Sequence, residues 1–459
     1  MNPELAPQMR IAINSAEAFL HNGSGIKYFS RSLIDSLRQK DLAVDILLEG
    51  NLSNNNGSEL SSSSLFKLYD KISPVEKLKL RLKTDLYSLP LFRLCRSRLH
   101  RVSPNDPLLS LAQARIPGKE ILNPVQFLIA KQVFRLAKDR FSRKASCTRI
   151  AIPSAGDKSI AITTSGSSIF HNPFPFPLIA SNCSNVTTIH DLIPLTHPEL
   201  CLDHPDVFYR LLNQLISASS AVHAISRYTA DQLLNIYGSA VSEKLRVIPQ
   251  PVPIAASTST NDDEYILERE HLYNRLRGGE DVFVIQVGSI EPKKNHSVSI
   301  AAFNEVRSKY PNLKLVVIGK NGWLSNSLCD YMLASKPDGI EWIGSASRGV
   351  LESYMKRSLA LLFPSLVEGW GLPPLEAMAM GCPVITSSIP PCRESCGNAA
   401  LFIEDPTSVN ELRDHLLDLL GSVELGLDLC RRGRSRAREF SVSRFSESML
   451  NLYQSIDRS

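Results

Sequence analysis

Residues 364–384 read PSLVEGWGLPPLEAMAMGCPV. The apolar run LALLF at 359–363 comes just before and reads as a buried strand. Gly369 and Gly371 mark a loop, and Pro373-Pro374 opens a helix expected over 375–380. Strand, glycine-bearing loop and helix together make the repeating unit of a parallel sheet. The start of such a helix carries unpaired N–H groups and roughly half a positive charge. A diphosphate suits that place, and glycines let it approach the main chain. Glu368 stands on the loop and Glu376 is expected in the first helical turn. Carboxylates so near phosphates would repel them, so they are read as acceptors for sugar hydroxyls.

The same alternation extends in both directions. Strands are expected at 10–14, 44–49, 159–163, 186–190, 221–225 and 245–249, then at 282–288, 313–319, 340–343, 359–363, 384–386 and 400–403. Two consecutive sets of about six βα units predict an α/β protein with two Rossmann-like domains facing across a cleft. The expected division is residues 1–253, a polar linker at 254–264 (IAASTSTNDDE), a second domain at 265–438, and a helix at 439–459 that crosses back to the first. A helical, basic insertion is expected at about 51–156, after the serine- and asparagine-rich stretch 51–64.

Bulk properties exclude several alternatives. The 459 residues are 43% hydrophobic and 21% charged, as in a soluble two-domain protein. No apolar run reaches the roughly 18 residues needed to span a bilayer. The opening MNPELAPQMRIAINSAEAF lacks a basic start followed by an apolar stretch, so a cytoplasmic location is expected. Nine scattered cysteines show no paired C-x-x-C spacing, and neither a metal site nor disulfides are expected. The net charge is +5, yet residues 71–144 alone hold 17 Lys/Arg against 5 Asp/Glu. The rest of the chain therefore carries −7.

Three further stretches stand at strand ends. At 284–296 (VIQVGSIEPKKNH) a buried strand ends at Gly288, followed by Ser289, Lys293 and Lys294. Cations there sit where α/β proteins bind ligands. At 186–194 (VTTIHDLIP), His190 ends a strand before Asp191. Near the N-terminus, 21–28 (HNGSGIKY) places Gly23 and Gly25 ahead of an amphipathic helix.

Taken in this order, the motifs resemble the retaining GT-B glycosyltransferases of the family-4 type, the glycosyl transferases group 1. The Glu-x7-Glu pair in its Pro-Ser, Gly-x-Gly-Leu-Pro and Glu-Ala-Met setting looks like that family's donor-site motif. The resemblance implies that Glu376 binds the ribose hydroxyls and Glu368 lies against the donor sugar. It places the backbone at Gly369, Gly371 and Leu372 against sugar and phosphate. Lys294 matches the lysine that neutralises the donor phosphates. Ser289 stands where many members have arginine, which leaves Lys293 as the candidate replacement. Gly25 resembles part of a glycine-rich loop facing the donor, with Lys27 in place of a second glycine. By the same resemblance His190 projects beside the anomeric carbon. Ser226, in AVHAISRYTADQLL, is either part of the site or a helix cap.

The implied partners are a nucleotide-sugar donor and a glycan or lipid-linked acceptor, with no cofactor and no required metal. The Glu-Pro-Lys-Lys-Asn segment resembles bacterial mannosyl- and related transferases of surface polysaccharide assembly, which points to GDP-mannose. A sugar-nucleotide epimerase and a non-catalytic glycan- or partner-binding subunit share the fold and are the alternative readings. In the basic insertion Leu78, Leu82, Leu86 and Leu89 form one apolar helical face. Such a helix suits peripheral contact with an anionic membrane at its inner face, against simple packing on the first domain. Nucleic acid is not expected, because no aromatic residues interleave the charges.

Overall fold

The computed structural model describes residues 9–14, 25–39, 42–47, 159–162, 164, 167–203, 205–253, 262–323 and 325–457. The basic insertion, most of the linker and the turn before Gly25 lie outside the described residues.

The first sheet is parallel, in the order β2-β1-β4-β6-β7-β8. Its strands are β1 (Arg10–Asn14), β2 (Ala43–Leu47), β4 (Ile169–Asn172), β6 (Ser184–Ile189), β7 (Ala221–Ala224) and β8 (Leu245–Val247). β3 (Ile160–Ile162) and β5 (Leu178–Ala180) form a separate two-stranded pair. Helices α1 (Gly25–Gln39), α2 (Pro205–Ala218) and α3 (Arg227–Tyr237) belong to this half. The second sheet, β9 (Val282–Val287) to β14 (Leu401–Ile403), takes the order β11-β10-β9-β12-β13-β14. Between its ends run β10 (Leu313–Ile318), β11 (Ile340–Ile343), β12 (Leu361–Phe363) and β13 (Val384–Ser387). The helices of this half are α4 (Asp263–Arg277), α5 (His296–Arg307), α6 (Asn326–Ala334), α7 (Arg348–Arg357), α8 (Leu372–Ala379), α9 (Pro390–Cys396), α10 (Val409–Gly421) and α11 (Val423–Glu439). The last, α12 (Val442–Asp457), closes the chain.

Two Rossmann-like domains were expected, and two six-stranded parallel sheets are found beside the small β3-β5 pair. The second has the doubly wound order whose direction reverses between β9 and β12, the place where such sheets hold ligands. Its strands VFVIQV, LKLVVI and LLF are nearly continuous apolar runs, because helices cover both faces. In the first half the sequence reading needs correction. The strand expected at 159–163 lies outside the main sheet, and β4, placed between β1 and β6, was not anticipated. Pro173, Pro175 and Pro177 break up its surroundings, so no period of two could build up.

α12 packs against α1 of the first half, and its apolar stripe explains why. Phe445, Met449, Leu452, Tyr453 and Ile456 are buried at helical spacing. Phe445 meets Phe29 of α1 edge-on, with ring centroids 5.5 Å apart. Tyr453 enters a buried hydrogen-bond chain across three strands: Tyr453 Oη to His171 Nδ1 at 2.5 Å, His171 Nε2 to Thr188 Oγ1 at 2.8 Å, and Thr188 Oγ1 to His223 Nδ1 at 2.9 Å. It ends with His223 Nε2 on the Ile248 carbonyl at 2.7 Å. A carbonyl only accepts, so His223 Nε2 carries the hydrogen and its Nδ1 accepts from Thr188. The same logic makes His171 donate to Thr188 and accept from Tyr453. Every group in the chain is satisfied once, with both histidines neutral.

Burial pushes the His223 pKa down to about 4 and the His171 pKa well below its ordinary value. In the unfolded chain both take up a proton near about 6.5. Their contribution to stability is therefore complete above that pH and lost as pH falls towards 4. Buried Asp191 and Glu376, whose carboxyls are pushed upward, offset part of this loss. The melting temperature should fall between pH 6.5 and 4.5, and a flat profile would contradict the neutral relay. Tyr453→Phe should cost about 1–3 kcal/mol in denaturant unfolding, because His171 Nδ1 loses its donor.

Candidate active site

The site is assembled where the ends of β9 and β12 diverge. After β9 the chain makes a 3-10 turn, Pro292–Lys294, and reaches Asn295 in the left-handed conformation, at φ 53°. Asparagine tolerates that backbone better than most side chains. Its Nδ2 donates to the carbonyls of Pro364 at 3.1 Å and Pro406 at 2.7 Å. The Leu366 amide donates to the Lys293 carbonyl at 2.8 Å, and Gln286 Nε2 to that of Lys294 at 2.9 Å. The two-lysine turn is thereby strapped to the loop that follows β12.

That strap sets the charges. Lys294 Nζ forms an ion pair with Glu368 Oε1, and both side chains are largely buried. The ammonium also lies 5.1 Å from the Phe363 ring centroid. Lys293 sits 3.6 Å from Glu291. Burial works against its charge, but the carboxylates of Glu368, Glu291 and Asp191 outweigh that and hold its pKa above the ordinary value. Asp191 is pushed upward by its own burial and by Glu368, while Lys293 pulls it back. Ser289, half-buried, stands just after Gly288 at the start of the turn.

Glu376 is 4% exposed and lies in the second turn of its helix, not the first as expected. α8 begins at Leu372, with Gly371 at its cap (φ 96°), because Pro373 and Pro374 take positions inside the first turn. Prolines have no N–H, so fewer free amides remain here than at an ordinary helix start, though the aligned peptide dipoles are unaffected. Arg348 Nη1 donates to Glu376 Oε1 at 2.5 Å, and Arg348 Nε to Glu352 Oε1 at 2.8 Å.

From the first sheet, His190 reaches the same cleft. Its Nε2 donates to the Pro173 carbonyl at 2.7 Å, and the Phe29 ring stands edge-on to it at 5.0 Å. Burial pushes its pKa down to about 4, so the ring is neutral at pH 7. The Pro173 bond leaves Nδ1 as the lone-pair nitrogen. Contact with the second domain is close: a Cβ on Gly369 would lie 2.2 Å from the His190 carbonyl oxygen. Only glycine fits there. The structure thus brings His190, Lys293, Lys294, Glu368 and Gly369 together, with Gly371, Leu372 and Glu376 on the adjoining helix start. Gly25 is the first residue of α1. Ser226 is a cap: its buried Oγ accepts from the Thr229 amide at 3.0 Å.

Two residues of the cleft escaped the sequence reading. Arg348 stands five positions beyond β11, and the rule that singled out Lys294, a cation at a strand's carboxyl end, applies to it equally. Glu394 of α9 accepts from the amides of Arg227 at 2.8 Å and Tyr228 at 3.2 Å, a carboxylate of one domain on a helix start of the other. Nothing in its sequence context signals this. Among the described residues no group of three or more His, Cys, Asp or Glu could hold a metal ion.

Comparison with known proteins points to a glycosyltransferase. Residues 270–439 match the family glycosyl transferases group 1. O-antigen chain mannosyltransferase B of Escherichia coli is 24% identical over 278 residues, covering 59% of this chain and 70% of that protein. O-antigen chain mannosyltransferase RfbU of Salmonella typhimurium is 29% identical over 220 residues, 47% of this chain. The match spans only 55% of that relative's length. The solved structure of Anabaena HepE in complex with UDP-glucose is similar in fold, with a TM-score of 0.58 at 14% identity, covering 97% of this chain and 100% of that one. The second half of the chain, residues 270–439, is thus a match to the glycosyl transferases group 1, and the whole chain has the two-domain GT-B architecture of its structural neighbours.

Proposed function

We propose that this glycosyltransferase moves a mannosyl group from GDP-mannose to a glycan or lipid-linked acceptor in surface polysaccharide assembly, with retention of configuration. The observation that carries the reading is the Lys294–Glu368 pair at the end of β9 and β12, with buried Glu376 on the next helix. The mannosyl donor is suggested by the O-antigen mannosyltransferases to which the chain is similar.

In this reading the donor diphosphate displaces Glu368 from Lys294, and Glu368 turns to the sugar hydroxyls. Glu376 accepts from the ribose. The bond between the anomeric carbon and the phosphate oxygen breaks, and its electron pair goes to the departing diphosphate. The acceptor oxygen attacks from the same face, and its proton passes to that phosphate. Lys294 and the dipole of α8 stabilise the charge that develops. Neutral His190 lines the sugar side and brings no competing cation. Contact of the basic segment with anionic lipid belongs to the same reading, and salt-sensitive co-sedimentation with anionic vesicles tests it.

The direct assay supplies labelled GDP-mannose with and without a polysaccharide-precursor acceptor. Acceptor-dependent transfer with the α-linkage retained is expected. Conversion of donor alone would mark an epimerase, and no reaction with any nucleotide sugar would contradict the proposal.

Lys294→Ala should lower kcat/KM by about 100- to 1,000-fold, the usual scale for removing a group that faces developing charge. Lys293→Ala should lower it by less than about tenfold, because its nearest partner is Glu291. Equal, small losses in steady-state kinetics would mean that neither lysine meets the phosphates. The reaction should also proceed unchanged in EDTA, since lysine and helix dipole supply the positive charge. Loss of activity restored by magnesium or manganese would contradict that.

A further inference from the structure

Arg348 joins the two domains from the first turn of its helix. It opens α7 at the carboxyl end of β11, beside α8, and divides its guanidinium among three neighbours. Nη1 donates to Glu376 and Nε to Glu352, while the face lies over the ring of Tyr28, with Cζ 5.0 Å from the centroid. Tyr28 belongs to α1 of the first domain, so the guanidinium bridges the cleft. The remaining nitrogen, Nη2, is buried without any hydrogen-bond partner. A covered N–H of a charged group that lacks an acceptor is costly, and native proteins rarely leave one idle.

We propose that Arg348 is a donor-positioning residue: it aims the Glu376 carboxylate at the ribose and offers its spare Nη2 to an oxygen of the donor nucleoside. Stacked on Tyr28, it makes nucleoside recognition a task shared by both domains. This rests on the donor reading of the cleft.

Electrostatics supports the geometry. Burial pushes the Glu376 carboxyl upward, and Arg348 is the group that pulls it back towards the ionised form, with Glu352 acting weakly against it. Other charged or titratable groups turned to α8 are Arg434 of α11, bonded to the Ala379 carbonyl, Cys392 of α9 near Gly371, and the Lys294–Glu368 pair. Without Arg348 the carboxyl titrates higher, so Glu376 is more often protonated at low pH. A neutral carboxyl is a weaker acceptor for ribose hydroxyls.

The test is calorimetric titration of the full chain with GDP at pH 6.0, 7.0 and 8.5, for wild type, Arg348→Met, Arg348→Lys and Tyr28→Leu. Wild type should bind at all three. Arg348→Met should bind roughly ten- to a hundredfold more weakly at pH 6.0, the scale of losing hydrogen bonds to a charged group, with the deficit narrowing at pH 8.5. Arg348→Lys should recover part of the loss, since its charge still favours the ionised form of Glu376. Tyr28→Leu should weaken binding by a few-fold without pH dependence. Wild-type affinity in Arg348→Met, or a loss equal at every pH, would overturn the proposal. Failure of wild type to bind GDP would overturn the donor reading itself, and is told apart because it needs no variant. Should Arg348→Met not fold, Arg348→Lys and Tyr28→Leu with unchanged affinity would overturn the proposal alone.

Discussion

The structure depends on a strap of four hydrogen bonds that ties the turn after β9 to its neighbours. Asn295 reaches Pro364 and Pro406, Leu366 reaches Lys293, and Gln286 reaches Lys294. A flexible lysine on a free loop would wander through solvent at a large entropic advantage. Here its backbone is held on both sides, so the ammonium has little choice but the mouth of the cleft. Glu368 meets the ammonium there, and both side chains are largely buried. Low exposure makes the contact more than a surface ion pair, whose worth is usually under about 1 kcal/mol.

Several of the contacts between the two domains involve a residue of the site or its immediate neighbour. Gly369 presses on His190, Trp370 stands edge-on to Phe440 at 5.0 Å, Arg348 covers Tyr28, and Glu394 caps α3. α12 then binds the first domain, Phe445 against α1 and Tyr453 against β4. A change in the loop after β12 consequently alters domain contact, and the reverse holds. Water excluded from such a cleft strengthens every charge inside it.

Much of this was legible in the sequence because it is local. A strand, a glycine-bearing loop and a helix in close succession place Glu368 and Glu376 relative to each other whatever the rest of the chain does. The buried strands of the second sheet declare themselves by their apolar runs. What stayed hidden is of two kinds. β4 and β5 sit among prolines at 173, 175 and 177, where no alternation could register. The ion pairs Lys294–Glu368 and Arg348–Glu376 join residues 74 and 28 apart, and only the packing of α7 and α8 across one sheet brings the second into being. The two prolines of α8 were visible, yet their effect on the supply of free amides depends on where the helix starts, and that was misplaced by three residues.

The central claim is that the Lys294–Glu368 pair marks the seat of the donor diphosphate. A crystal structure of the chain with bound GDP tests it most directly. The account predicts the diphosphate against Lys294 and the start of α8, the ribose on Glu376, and Glu368 released from the lysine. A diphosphate bound elsewhere, with the pair intact, would contradict it.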